Sequence, residues 1–381
     1  MLTLDKKYRI LLVIRWPVGG IRTFIRYVFR NFECSRYQFT ILAPEGPELS
    51  VLLEDLEDLD VVSVSFKNDS SRLNLMALLI KTILFGNFDL IHSHGFMSGI
   101  FSALPACLSR TRHIMTSHDV LLSKQFLGLK GFLKKTLLSL FLPMIDIIHS
   151  VSQDAYDNLL EYVPRLKKRL SHCILIPNGI EVERFKGSER DTFRKQLNLP
   201  EETFLIGFLG RFMSQKGFIY LIEALGLLLK KENLPKTPVI LAFGFGGFIR
   251  EDKCYIEEKG LERHFHFLPF MSNISSALRG LDVIAMPSLW EACPLLPMEA
   301  MVAGVPLIGT DCFGLREVLK DTPNKMVPAG DGVALATAIC QEIISPSKLK
   351  ATMFRDEASR RFDVRHQAKK LEAVMLGLIR S

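Results

Sequence analysis

Asp282-Val-Ile-Ala-Met-Pro-Ser-Leu-Trp-Glu-Ala-Cys-Pro-Leu-Leu-Pro-Met-Glu-Ala-Met-Val-Ala-Gly-Val-Pro-Leu-Ile-Gly-Thr-Asp311 is the stretch on which the fold turns. Its two ends, Asp282 to Ser288 and Val305 to Asp311, are short apolar runs of the kind that a parallel sheet buries on both faces. Between them Pro297 suits the opening of a helix, and Gly304 with Pro306 stops it. Strand, helix and strand in so short a span make a crossover unit of a parallel sheet.

The same alternation runs outward in two series. Strand candidates at 8 to 15, 39 to 45, 88 to 94, 112 to 118, 146 to 152 and 173 to 179 form the first. Those at 204 to 211, 238 to 244, 264 to 269, 282 to 288, 305 to 311 and 325 to 329 form the second. The charged stretch from Gly179 to Pro200 is the one pause. The expectation is two doubly wound α/β domains facing each other across a cleft, with ligands beyond the carboxyl ends of the strands.

Composition sets the outer bounds. At 381 residues, 48% hydrophobic and 23% charged, the chain has material for two cores and is not a disordered or collagen-like sequence. Seven scattered cysteines without a C-x-x-C pair argue against a disulfide framework and a zinc knuckle. The charges beside the first apolar run argue against a signal peptide, and Pro143 and Asp146 interrupt the most apolar stretch before it could span a bilayer. A cytoplasmic protein is expected, with no nucleic-acid partner. The acidic run 54 to 60 reads as a solvated face.

Two loops carry chemistry. After the strand 204 to 211, Arg211 and Lys216 lie five residues apart at a turn into an amphipathic helix, where two cations and a helix N-terminus can grip a diphosphate. After the strand 282 to 288, Glu291 stands on the loop and Glu299 in the first helical turn. Glu299 has a local reading, a carboxylate set against orphan amides and the helix dipole. Glu291 has no evident partner nearby in sequence.

The order G-R-x4-K-G and then P-S-x-x-E-x7-E-A-x3-G-x-P resembles the second domain of retaining glycosyltransferase family 4, glycosyl transferases group 1, which has the GT-B architecture. Gly19-Gly20, Asp89 to His94, Ser117-His118-Asp119, Pro177 to Ile180 and Gly314 to Glu317 extend the resemblance over nearly the whole chain. It implies a nucleotide-diphosphate sugar donor, retention at the anomeric carbon, and no metal or other cofactor. It further implies an acceptor-binding domain at 1–180, a donor-binding domain at 201–356 and a C-terminal helix at 357–381 crossing back toward the first. By motif position, Arg211 and Lys216 hold the diphosphate, Glu299 the ribose, Glu291 and His118 the transferred sugar, and the Leu295 and Leu296 amides sugar or phosphate. Gly19 and Gly20 let the first domain's backbone approach the phosphates. The sequence departs from the family where Ala292-Cys293-Pro294 and Pro269 replace expected glycines.

A glycan or lipid-linked acceptor, in cell-surface polysaccharide or lipopolysaccharide synthesis, is expected because two basic patches fall in the acceptor domain. Two basic amphipathic segments, one with Arg22, Arg26 and Arg30 and one with Lys124, Lys130, Lys134 and Lys135, suggest an anionic membrane surface and a peripheral place on the inner face of the plasma membrane. Rival readings are a nucleotide-sugar epimerase of the same fold and a catalytically silent binding subunit. An NAD-dependent oxidoreductase is weaker, because the first glycine loop lacks G-x-G-x-x-G.

Overall fold

The computed structural model describes residues 7–67, 72–231, 233–269, 271 and 274–381, with the side chains of 72–75 also left aside. The first six residues, part of the signal-peptide reading above, lie outside this set. The chain divides into two units, one running to Gly179 and including Val364–Ser381, the other Ile180–Asp363.

The first unit holds a seven-stranded parallel sheet: β1 Tyr8–Ile14, β2 Tyr37–Pro44, β3 Val61–Phe66, β4 Leu90–His94, β5 Arg112–Ser117, β6 Ile147–Ser150 and β7 Cys173–Leu175. Their order is β3-β2-β1-β4-β5-β6-β7, every neighbouring pair parallel. The second unit holds six parallel strands: β8 Thr203–Leu209, β9 Thr237–Phe243, β10 Phe265–Leu268, β11 Val283–Met286, β12 Leu307–Thr310 and β13 Lys325–Val327, ordered β10-β9-β8-β11-β12-β13. The strand order reverses at β1/β4 in the first sheet and at β8/β11 in the second. Ligand-binding crevices of open α/β sheets form beyond strand ends at these points.

The central strands are apolar on both faces because helices cover both. Ile10 to Ile14 are all buried, as are Phe204 to Phe208. Register is pinned by one device used four times. Asp89 accepts from the Arg9 amide, Asp146 from the His113 amide, Asp282 from the Leu205 amide, and Asn324 from the Leu307 amide. Each is a side chain just ahead of one strand that accepts from an N–H near the start of a neighbour, satisfying a donor the ladder would leave unpaired.

Two features differ from the sequence reading. β3 was not among the strand candidates: VVSVSF alternates small polar with branched residues, and its half-exposed edge position removes the continuous apolar signal. The last segment is two helices rather than one, Arg355–Arg361 and Val364–Arg380, of which the second belongs to the first unit. There Glu372 accepts from the Glu33 amide.

The arginine stripe on the helix Gly19–Phe29 also departs from expectation. Arg22 and Arg26 both pair with Asp55, at 3.7 and 3.3 Å, and Arg30 pairs with Asp58 at 2.7 Å. The acidic run 54 to 60, read as merely solvated, is therefore the partner of this basic stripe. Three arginines against the two carboxylates Asp55 and Asp58 leave only part of the stripe's charge uncompensated, so this segment would attract a distant anionic surface less than its sequence suggests.

Candidate functional site

In the second unit the loops following β8 and β11, neighbours at the reversal of strand order, are bonded to each other. The Leu289 amide donates to the Gln215 carbonyl at 2.8 Å, and Gln215 Nε2 donates to the Trp290 carbonyl at 2.8 Å. Gly217 makes this approach possible. Its φ is +62°, and a Cβ there would lie 2.0 Å from the Pro287 carbonyl oxygen, so only glycine lets the two backbones meet. The glycine turn after β9 presses on the same place, since a Cβ on Gly244 would lie 2.0 Å from the Gly210 carbonyl oxygen. The Phe212 amide donates to the Phe245 carbonyl at 2.9 Å. Phe243 to Gly247 thus has a structural task beyond ordinary turn chemistry: it backs the loop that carries Arg211.

This junction places four of the expected side chains in one unit. Lys216 Nζ lies 2.6 Å from Glu291 Oε1, and Ser288 Oγ donates to the same oxygen at 2.7 Å. Glu291 is only 7% exposed, so the partner invisible in its local sequence is the cation of the other loop. Lys216 keeps further N–H donors, since an ammonium has three. Arg211 is exposed and makes no ion pair or hydrogen bond among the described residues. Glu299, 7% exposed, sits in the first turn of the helix Leu296–Ala303, whose N-cap residue, Leu295, has no capping side chain. Leu295 and Leu296 form the N-terminus of that helix, so their amides belong to the orphan donors of a helix start. Sequence reading missed Ser288, Gln215 and Thr310, whose hydroxyl holds the Ser288 carbonyl. Ser288 lay inside the P-S-x-x-E motif, and the others carried no local signal.

In the first unit, Gly19 adopts φ +55°, while a Cβ on either Gly19 or Gly20 would meet nothing within 4 Å. Gly19 is therefore needed for its backbone angle and Gly20 for no steric reason within this unit. His118 follows β5 and belongs to a group of imidazoles. His94 Nδ1 lies 3.0 Å from His118 Nε2, His92 stacks on His94 with ring centres 4.3 Å apart, and Phe24 meets His118 edge-on at 4.8 Å. His92 Nε2 reaches Thr116 Oγ1 at 2.7 Å, Thr116 Oγ1 reaches His149 Nδ1 at 3.1 Å, and His149 Nε2 reaches the Ile176 carbonyl at 2.8 Å.

Burial lowers every one of these pKa values: His118 to about 3, with His149 adding to the effect, His149 to about 4 against the pull of its carbonyl bond, and His92 and His94 well below the usual range. Neutral rings then have one N–H each, and the chain of bonds orders them. A carbonyl only accepts, so His149 carries its proton on Nε2. Its bare Nδ1 accepts from the Thr116 hydroxyl, and Thr116 in turn accepts from His92 Nε2–H. Histidines forced to stay neutral favour the folded state only while the unfolded chain's histidines are neutral as well. Their stabilisation is therefore complete above about pH 6.5 and lost as pH falls below it, by up to roughly 1.4 kcal/mol per pH unit for each ring. Melting followed from pH 8 to pH 5 should show a steep fall beginning near pH 6.5, shallower in a His92→Asn variant; a flat profile would contradict the neutral cluster.

Residues 189–353 match the family model for glycosyl transferases group 1, and residues 18–184 match that for glycosyltransferase family 4. The chain is 24% identical over 318 residues to the UDP-Gal:alpha-D-GlcNAc-diphosphoundecaprenol alpha-1,3-galactosyltransferase of Escherichia coli, covering 80% of this chain and 79% of that protein. It is 27% identical over 288 residues to the putative glycosyltransferase EpsD of Bacillus subtilis, covering 72% of each. Among solved structures, HepE of Anabaena in complex with UDP-glucose superposes with a TM-score of 0.81 at 20% identity, covering 97% of this chain and 99% of that one. Sucrose-phosphate synthase of Thermosynechococcus elongatus gives 0.74 at 18% identity, over 98% and 99%. Both halves of the chain match models of one group, the strand orders are those of paired nucleotide-binding sheets, and the motif residues meet at a strand-order reversal: the chain belongs to glycosyltransferase family 4, a retaining family with the GT-B fold.

Proposed function

We propose that the protein transfers a hexose, with retention, from a nucleoside-diphosphate donor to a glycan or lipid-linked acceptor in cell-surface polysaccharide or lipopolysaccharide synthesis. The observation that carries this reading is the bonded pair of loops, with Arg211 and Lys216 on one and Glu291 and the Glu299 helix start on the other. The donor names of the relatives, UDP-galactose for the Escherichia coli enzyme and UDP-glucose for HepE, make a UDP-hexose the first donor to test. The diphosphoundecaprenol in the former's name supports a lipid-linked acceptor.

In the proposed mechanism, breaking the anomeric bond leaves negative charge on the departing diphosphate. Arg211 offers it a bidentate fork, Lys216 the N–H groups that Glu291 does not take, and the Leu295 and Leu296 amides the positive end of a helix. Glu299 accepts from the vicinal ribose hydroxyls. Glu291, whose Oε1 is held by Lys216 and Ser288, turns Oε2 to the sugar, where it orients a hydroxyl or favours an oxocarbenium-like centre. From the first unit, Gly19 and Gly20 are assigned to the phosphates and His118 to the transferred sugar.

These roles separate by kinetics. Glu299→Gln should weaken nucleoside-diphosphate binding about tenfold, the loss of one charge-assisted bond. Glu291→Gln keeps an oxygen for Lys216 and Ser288, so it should bind nearly normally and lose roughly 10²-fold in kcat. Calorimetry with UDP beside initial rates decides the matter, and equal binding losses in both variants would refute the division of labour.

A further inference from the structure

The helix Gly128–Phe141 turns part of its apolar surface outward. It buries Gly131 and Leu138, but Leu129, Phe132, Leu133 and Leu140, with Leu127 just ahead, are between 52 and 84% exposed. Relative to Leu129 they fall at i+3, i+4 and i+11, one stripe of a helix. Lys124, Lys130 and Lys135 flank the stripe and are exposed, while Lys134 turns to Gln125 and the Phe126 ring. No acidic residue occurs from Val120 to Ile145.

The fold adds a second basic segment that is remote in sequence. Pro164–His172 is tied to the end of this helix: Arg165 Nη1 donates to the Ser139 carbonyl at 3.3 Å, and Arg169 donates to the Pro143 carbonyl. Lys167 and Lys168, between these anchors, are exposed and make no ion pair among the described residues. The result is an apolar ridge edged by cations from two segments. The arginine stripe of the helix Gly19–Phe29 is not counted in it, most of its charge being offset by Asp55 and Asp58.

We propose that this ridge inserts into the interface of an anionic lipid bilayer, with the flanking lysines on the headgroups. Exposed apolar surface of this extent marks an interaction site, and its edging by one sign of charge selects the partner. A second copy meeting it across a two-fold axis would set like charges against each other. No helix among the described residues is long and apolar enough to cross a membrane, so the attachment is to one leaflet. Such a surface would bring a lipid-linked acceptor to the unit assigned to it, yet the binding rests on the ridge alone and is read without donor or acceptor.

Flotation with phosphatidylcholine vesicles, with and without phosphatidylglycerol, tests the proposal at low and high salt. Wild type should float only with the anionic vesicles, and less at high salt. Lys167→Ser with Lys168→Ser should weaken binding about 25-fold, roughly fivefold for each cation near the surface. Leu129→Ser with Phe132→Ser should weaken it at least about tenfold for each residue withdrawn from the lipid. All of these positions are exposed, so melting temperatures should stay at the wild-type value and report folding. Equal flotation of variants and wild type, or equal binding to neutral vesicles, would overturn the assignment. So would a wild-type dimer in sedimentation that ignores lipid and that Leu129→Ser with Phe132→Ser splits.

Discussion

Lys216→Ala should lower turnover by roughly 10²-fold or more and also lower stability, whereas Arg211→Ala should show the rate loss alone. Both cations are assigned to charge that develops on the leaving diphosphate, where one fixed donor is worth a few kcal/mol. They differ in what they do otherwise. Arg211 is exposed and unpaired among the described residues, so its removal leaves no buried group stranded. Lys216 is bonded to Glu291, whose side chain is 9% exposed, and its loss leaves that carboxylate with Ser288 only. Breaking a fully buried pair costs about 3–5 kcal/mol; with the lysine side chain 22% exposed, about 1–3 kcal/mol is expected here. Lys216→Ala with Glu291→Gln should recover much of the stability and none of the turnover. Denaturant unfolding beside initial rates separates the two effects, and near-normal turnover in both single variants would remove the diphosphate assignment.

Gly217→Val should be the most damaging single change at a position with no chemistry of its own. A side chain at φ +62° costs about 1–2 kcal/mol by itself. A Cβ 2.0 Å from the Pro287 carbonyl oxygen must also push the loops apart, and branching leaves little room to relax. We expect a total loss of about 3–5 kcal/mol and at least 10²-fold in turnover, because the same movement pulls Lys216 from Glu291. Gly247→Ala is the control: it lies in the neighbouring glycine turn, its φ is not in the left-handed region, and a Cβ there meets nothing within 4 Å. If Gly217→Val melts and turns over like Gly247→Ala, the close approach of the two loops does not matter to the site.

The parts of this molecule legible in its sequence are those with local causes. Strands buried on both faces announce themselves as apolar runs, and Pro297, Gly304 and Pro306 mark the helix carrying Glu299 by backbone chemistry alone. β3 escaped because an edge strand need not be apolar. The pairing of Asp55 with Arg22 and Arg26 escaped because two segments that each look solvated neutralise one another only when folded. Lys216 and Glu291 are 75 residues apart, and nothing near either names the other; the resemblance put both in one site, while their direct bond came from the structure. The imidazole cluster was half visible. His92 and His94 share a strand face by alternation, but Thr116 and His149 join them through the strand ladder, in which Thr116 pairs with His94 on one side and His149 on the other.

The central claim is that Arg211 and Lys216 stabilise a departing nucleoside diphosphate while the sugar keeps its anomeric configuration. Proton NMR of the purified enzyme with UDP-glucose or UDP-galactose, without acceptor, follows slow donor hydrolysis before mutarotation scrambles the product. The account predicts the α-anomer of the free hexose at the earliest times, with release slowed roughly 10²-fold or more in Arg211→Ala. The β-anomer first, or equal hydrolysis by wild type and Arg211→Ala, would contradict it.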